Sequence, residues 1–172
     1  MSQTVAMKQA APRICPLVDD VGNRRLLEEF LDGHERFVLV PQHGSVDEME
    51  FDLAILDEGT LRAFPEDLKR AKAAAEPILL PYLLLVPQTK PDLIEIDEGK
   101  LVDSVLTRTI DEIVTLPIER SELHWRIEAL LRLRAQSIEA LEQGERHRSL
   151  FESMQEAIVV TDTDGRMTEV NR

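Results

Sequence analysis

Ile14-Cys-Pro-Leu-Val-Asp19-Asp20 and Phe51-Asp-Leu-Ala-Ile-Leu-Asp57 decide the fold. Each is a short apolar run closed by acid, an aspartate pair in the first and a single aspartate in the second. Both read as buried strands. In an open parallel α/β sheet, ligands bind at the carboxyl ends of the strands. If these strands are neighbours, Asp19, Asp20 and Asp57 converge on one spot. Three carboxylates that close repel one another unless a hard cation or a proton relieves them. The pattern points to a Mg2+ site with a candidate phosphoryl-accepting aspartate.

Outward from these strands, Asn23 to Leu31 carries Leu26, Leu27, Phe30 and Leu31 at helical spacing, and Asp32-Gly33 closes it. Phe37 to Val40 predicts a short strand before Pro41. Gln42 to Glu50 is too short for a full crossover helix and leaves room for about one turn. Leu61 to Ala75 predicts one helix with Pro65 in its first turns. Pro77 to Pro81 reads as a loop and Tyr82 to Val86 as the fourth strand. A long connection follows, with a helix expected over Lys100 to Arg108 and a solvated acidic loop over residues 92–98. Glu112 to Thr115 predicts the fifth strand. A helix from Ser121 lays Leu123, Ile127, Leu130 and Leu131 on the sheet. Alternating strands and helices of this kind predict an α/β fold, a doubly wound five-stranded parallel sheet with helices on both faces.

The segment Pro16-Leu-Val-Asp-Asp-Val-Gly-Asn-Arg-Arg-Leu-Leu-Glu-Glu-Phe-Leu31 resembles the first strand, acidic turn and first helix of a two-component receiver domain. Phe51 to Asp57 resembles its third strand and phosphoacceptor. Asp111-Glu-Ile-Val-Thr-Leu-Pro-Ile-Glu-Arg-Ser-Glu-Leu123, with Arg126 to Arg134, resembles its fifth strand, proline turn and last helix. The resemblance covers residues 13–134 and implies the flavodoxin-like receiver fold. It implies Asp20 and Asp57 as direct Mg2+ ligands, Asp19 as a water-mediated one, the Gly59 carbonyl as a third protein ligand, and a cis Leu116-Pro117 bond. It also implies a partner histidine kinase or phosphotransfer domain as the phosphoryl source for Asp57.

The chain departs from the family where phosphorylation is read out. Val86 stands at the expected Ser/Thr, Leu116 at the expected Lys, and Ile113 at the aromatic switch position. Charge-assisted contacts of the lost kind are worth roughly 1.5–3 kcal/mol each. Two readings stay open. In one, Asp57 accepts a phosphoryl group. In the other, the domain is a pseudo-receiver, a phosphorylation-independent interaction and dimerisation unit whose aspartates cap helices, Asp20 among them. A third, a Mg2+-dependent phosphatase-like enzyme with Asp57 as nucleophile, lacks a general acid and a substrate cradle.

The last helix is expected to run on through residues 135–150, where Ile138 and Leu141 are sparse apolar positions. A polar helix of this kind reads as a linker that pairs with a second copy, making a homodimer. Ser149 to Arg172 resembles the opening of a PAS sensor domain, with Ala157 to Thr161 and Arg166 to Val170 as strands around an Asp-Gly turn. The expected organisation is a tail at 1–12, a receiver-like domain at 13–134, a linker helix at 135–150 and a PAS fragment at 151–172. A lone hairpin is marginal in water. The chain is therefore expected to be a piece of a longer sensor such as a histidine kinase, itself carrying no enzymatic activity.

Composition narrows the classes. The net charge of -13 among 172 residues argues against nucleic acid and anionic membrane as partners. Only five of the 20 basic residues are Lys, against 33 acids, a balance shared by halophilic proteins and by ordinary acidic ones. Salt-dependent unfolding separates the two. Aromatics make up 4%, so the core is aliphatic. The single Cys15 lies in a strand and reads as a buried thiol. Met1 to Ala11 lacks an apolar signal core, and the run from Ile78 to Val86 is too short to span a bilayer, so a cytoplasmic segment without membrane insertion is expected. His34, His43, His124 and His147 are dispersed and expected at the surface. Trp125 is expected in packing or a dimer contact.

Overall fold

The computed structural model describes residues 11–34, 36–42, 44–88, 109–153, 159–164 and 166–170. Five strands, β1 (Arg13–Leu17), β2 (Val38–Leu39), β3 (Leu53–Asp57), β4 (Tyr82–Pro87) and β5 (Glu112–Leu116), form one sheet in the order β2-β1-β3-β4-β5. Every pairing is parallel. The strands read as continuous apolar runs because both faces are covered. Ile14, Leu53, Ile55, Leu83 and Leu85 point into one core. Their alternates Cys15, Leu17, Ala54, Leu56 and Leu84 point into the other. Helix α1 (Val21–Asp32) and the start of α4 (Arg120–Ser153) cover the first face through Leu27, Phe30, Leu31, Ile127 and Leu130. Helices α2 (Glu58–Ala63) and α3 (Pro65–Ala75), with a 3-10 turn at Val46–Glu48, cover the second through Leu61, Leu68 and Val46.

The reduced second crossover is as expected, a single turn at Val46–Glu48. The helix expected over Leu61 to Ala75 is instead two helices, beginning at Glu58 and broken at Phe64. Pro65 disfavours the α region for the residue before it, and Phe64 sits at φ -129°, ψ 43°. Proline then opens α3 at its first turn, where its missing N–H costs nothing. The Leu116–Pro117 bond is cis.

Helix α4 runs for 34 residues, about 50 Å at 1.5 Å per residue. Its early residues Leu123, Ile127 and Leu130 are buried, whereas residues 142–150 are all exposed. Trp125 is 66% exposed, so it takes no part in the core. Beyond α4, β6 (Val159–Thr161) and β7 (Met167–Val170) pair as an antiparallel hairpin. No described helix is long and apolar enough to cross a membrane. The helix expected at 100–108, the acidic stretch 92–98, residues 1–10 of the expected tail, His43, and positions 157, 158 and 165 of the expected hairpin lie outside the described residues.

Candidate functional site

β1 and β3 are hydrogen-bonded neighbours, with Leu17 opposite Leu56, so their carboxyl ends lie side by side. The turn Asp19-Asp20 follows β1 and Asp57 ends β3. The half-buried Asp57 carboxylate is engaged by main chain on both oxygens. Oδ1 accepts the Thr60 N–H at 2.8 Å and so caps α2. Oδ2 accepts the N–H of Asp19 at 2.8 Å and of Asp20 at 3.3 Å. An ionised carboxylate has about four acceptor sites, and these three bonds take most of them.

Asp20 is the N-cap of α1, its Oδ1 accepting the Asn23 N–H at 2.7 Å. Asp19 and Asp20 are both exposed. Gly59, in the first turn of α2, faces Asp19 so closely that an added Cβ would stand 3.0 Å from the Asp19 Cβ and 3.2 Å from its Oδ2. Glycine at 59 lets α2 approach the acidic turn. Arg24 braces the same turn from α1, its Nε donating to the Val18 carbonyl at 2.7 Å and Nη2 to the Asp19 carbonyl at 3.4 Å.

The readout positions carry no polar partner for this cluster. Val86 is buried in β4. Leu116, half-buried at the end of β5, packs against the core on the α1 side. Ile113 is 43% exposed. The hard oxygen donors have the right chemistry for Mg2+, yet Asp20 and Asp57 are turned onto main-chain N–H groups. Among the described residues no group of three His, Cys, Asp or Glu side chains is arranged to hold a metal ion. In this arrangement the Asp20 and Asp57 carboxylates serve as main-chain acceptors.

Two histidines expected apart come together. His34, just past α1, stacks on His124 of α4 with ring centroids 5.0 Å apart, flanked by Phe30 and Phe37. The His34 Nδ1 lies 2.8 Å from the Phe30 carbonyl. No spacing in the sequence signals a contact between residues so far apart. A groove of about 550 Å3 opens nearby between α1 and the turn before α4, lined by Leu26, Leu27, Pro117, Ile118 and Leu123.

The family model for a PAS domain matches residues 145–172, which take in the last turns of α4 and the β6–β7 hairpin. No curated protein matches the sequence. Among solved structures, the signal receiver domain of an HD domain-containing protein from Pseudomonas fluorescens Pf-5 superposes with a TM-score of 0.60 at 18% identity, over 79% of this chain and 98% of that one. Full-length FixJ from B. japonicum gives 0.56 at 20% identity, over 81% and 68%. The response regulator receiver modulated diguanylate cyclase from Pelobacter carbinolicus gives 0.52 at 23%, over 74% and 98%. The fold built by β1 to β5 and their helices is that of response-regulator receiver domains, and the chain's C-terminal stretch matches a PAS domain.

Proposed function

We propose that this chain is a signalling module of the two-component type. Its receiver-like domain works through protein contacts rather than phosphorylation, and its state passes along α4 towards the PAS segment. The receiver fold and the PAS match support the general class. The observation that carries the finer reading is the Asp57 carboxylate, held by three main-chain N–H groups. Those bonds leave about one of its four acceptor sites free, and a phosphorylated product needs donors to hold its oxygens. Val86 and Leu116 supply none.

Helix α4 is the output. Residues 142–149 are polar or glycine and exposed, and the half-buried Ile138 and Leu141 are the large apolar positions just before them. Such a helix draws little stability from its own packing. Pairing with the α4 of a second copy covers Ile138 and Leu141 and brings two PAS segments together. The parent fits a sensor kinase or a related sensory regulator.

The rival reading keeps Asp57 as phosphoacceptor, favoured by the convergence of Asp19, Asp20 and Asp57 at neighbouring strand ends. Incubation with a small-molecule phosphodonor and Mg2+, read by intact mass, decides between them. The expected result is an unchanged mass. A gain of one phosphoryl group that Asp57→Asn abolishes overturns the phosphorylation-independent reading.

A further inference from the structure

Opposite the acidic turn, α4 is tied to the sheet by side chains that the site above does not use. Arg134 Nη1 donates to the Leu79 carbonyl at 2.7 Å, and its Nε and Nη2 reach Asp52 Oδ1 at 3.2 Å each. One turn on, Ser137 Oγ accepts the Leu79 N–H at 2.9 Å and donates to the Arg134 carbonyl at 2.7 Å. Both main-chain groups of Leu79, in the connection from α3 to β4, are thus held by α4. The other oxygen of Asp52 accepts the Arg13 N–H at 2.8 Å, at the start of β1. The Arg134 side chain is 15% exposed and that of Asp52 23%, so this ion pair is shielded more than a surface pair.

The location gives the contact its meaning. Asp52 immediately precedes β3 and Asp57 ends it, so one strand has the acidic turn at one end and the α4 tether at the other. Past Ser137, the hydrogen bonds of the described α4 side chains, Gln143 to Glu139 and Ser153 to Leu150, stay within the helix. Arg134 and Ser137 therefore mark where the anchored part of α4 gives way to the free part.

We propose that Arg134 and Ser137 form a clasp that fixes the direction in which α4 leaves the sheet, and that β3 carries a displacement from Asp57 to that clasp. The clasp stands on its own geometry; its use in signalling rests on the function proposed above. With apolar side chains at 86 and 116, the strand itself is the continuous physical link between the acidic turn and the output helix. Guanidinium geometry matters here, because Arg134 spans a carboxylate and a carbonyl at once, which a lysine point charge does not reproduce.

The test uses the full chain with nitroxide labels at Ala74→Cys on α3 and Gln143→Cys on α4, both exposed positions, while Cys15 is buried. Dilution with unlabelled chain removes distances between copies. The expected result is a narrow label–label distance distribution that Arg134→Ala broadens about twofold, with Arg134→Lys between the two. Should Arg134→Ala lose its cooperative melt, Ser137→Ala, which removes only the bond to Leu79 N–H and its return bond, carries the same test. A distribution of unchanged width in every folded variant overturns the clasp. Asp57→Asn is expected to shift the mean distance when Arg134 is present and to leave it in place in Arg134→Ala. An equal shift in both, or none in either, overturns transmission through β3. The phosphodonor experiment above is read by mass alone, so failure of the clasp and failure of the functional reading are separately visible.

Discussion

Asp57 Oδ2 accepts the Asp19 main-chain N–H at 2.8 Å, joining the end of β3 to the turn after β1. The same carboxylate caps α2 through Thr60, so a side chain in the phosphoacceptor position acts as a bracket between two loops. Removing it strips both functions. Asp57→Ala is expected to lower stability by about 1–3 kcal/mol, the range for a lost cap combined with charge-assisted bonds. Asp57→Asn keeps a cap acceptor and is expected to lose about 1 kcal/mol, from the Asp19 and Asp20 side. Urea unfolding of the three proteins checks the order; equal midpoints for wild type and Asp57→Ala would remove the bracket.

Glycine at 59 and at 144 predicts opposite outcomes for one substitution. Both lie in helices, where alanine is favoured over glycine by about 1 kcal/mol. At Gly144 an added Cβ meets nothing within 4 Å, so Gly144→Ala is expected to stabilise α4. At Gly59 the Cβ would press on the Asp19 Cβ at 3.0 Å, a main-chain-anchored atom that cannot swing away. Gly59→Ala is therefore expected to forfeit the helix gain and lower the melting temperature. Helix content by circular dichroism, followed through thermal melts, measures both.

Alkaline pH tests the burial of β1. Burial of Cys15 pushes its thiol up to about 12 from an ordinary value of 9.0, and burial also raises Tyr82. The unfolded thiol ionises first. Its contribution is therefore whole below about pH 9 and is lost as pH rises towards 12. Stability is expected to fall across that window, and Cys15→Ala to fall with a shallower slope whatever its stability at neutral pH. Denaturant titrations at several alkaline pH values give the slope; identical slopes would place the loss elsewhere.

The sheet and the acidic turn were legible because each depends on local pattern. Phe51 to Asp57 is a continuous apolar run closed by acid, and such a run, buried on both faces, is visible in one dimension. The break at Phe64 was carried by Pro65, but a proline in a first turn fits one helix or the start of a second, and only the Phe64 dihedrals separate the two. The His34–His124 stack and the Arg134–Asp52 pair join residues on different elements, the latter 82 positions apart. No local pattern around these residues signals their contacts. The orientation of the Asp57 carboxylate was equally hidden, since one aspartate at a strand end serves as metal ligand or as cap, and its hydrogen bonds distinguish the roles.

The free part of α4 supplies the last expected outcome. Ile138 and Leu141 are half-buried large apolar positions just past Ser137, ahead of the exposed residues 142–149, which carry no apolar side chain. Spaced by three, they fit a and d positions of a helix pair. Replacing both with glutamate adds charge to a seam that pairing would desolvate, while leaving the buried Leu123, Ile127 and Leu130 contacts intact. Ile138→Glu/Leu141→Glu is therefore expected to convert a dimer to a monomer with little change in the unfolding midpoint of the β1–β5 domain. Sedimentation velocity across a concentration series, paired with a denaturant melt, reads the two quantities separately. A wild-type chain that sediments as a monomer at every concentration would remove α4 pairing and leave the Arg134 clasp standing on its own contacts to Leu79 and Asp52.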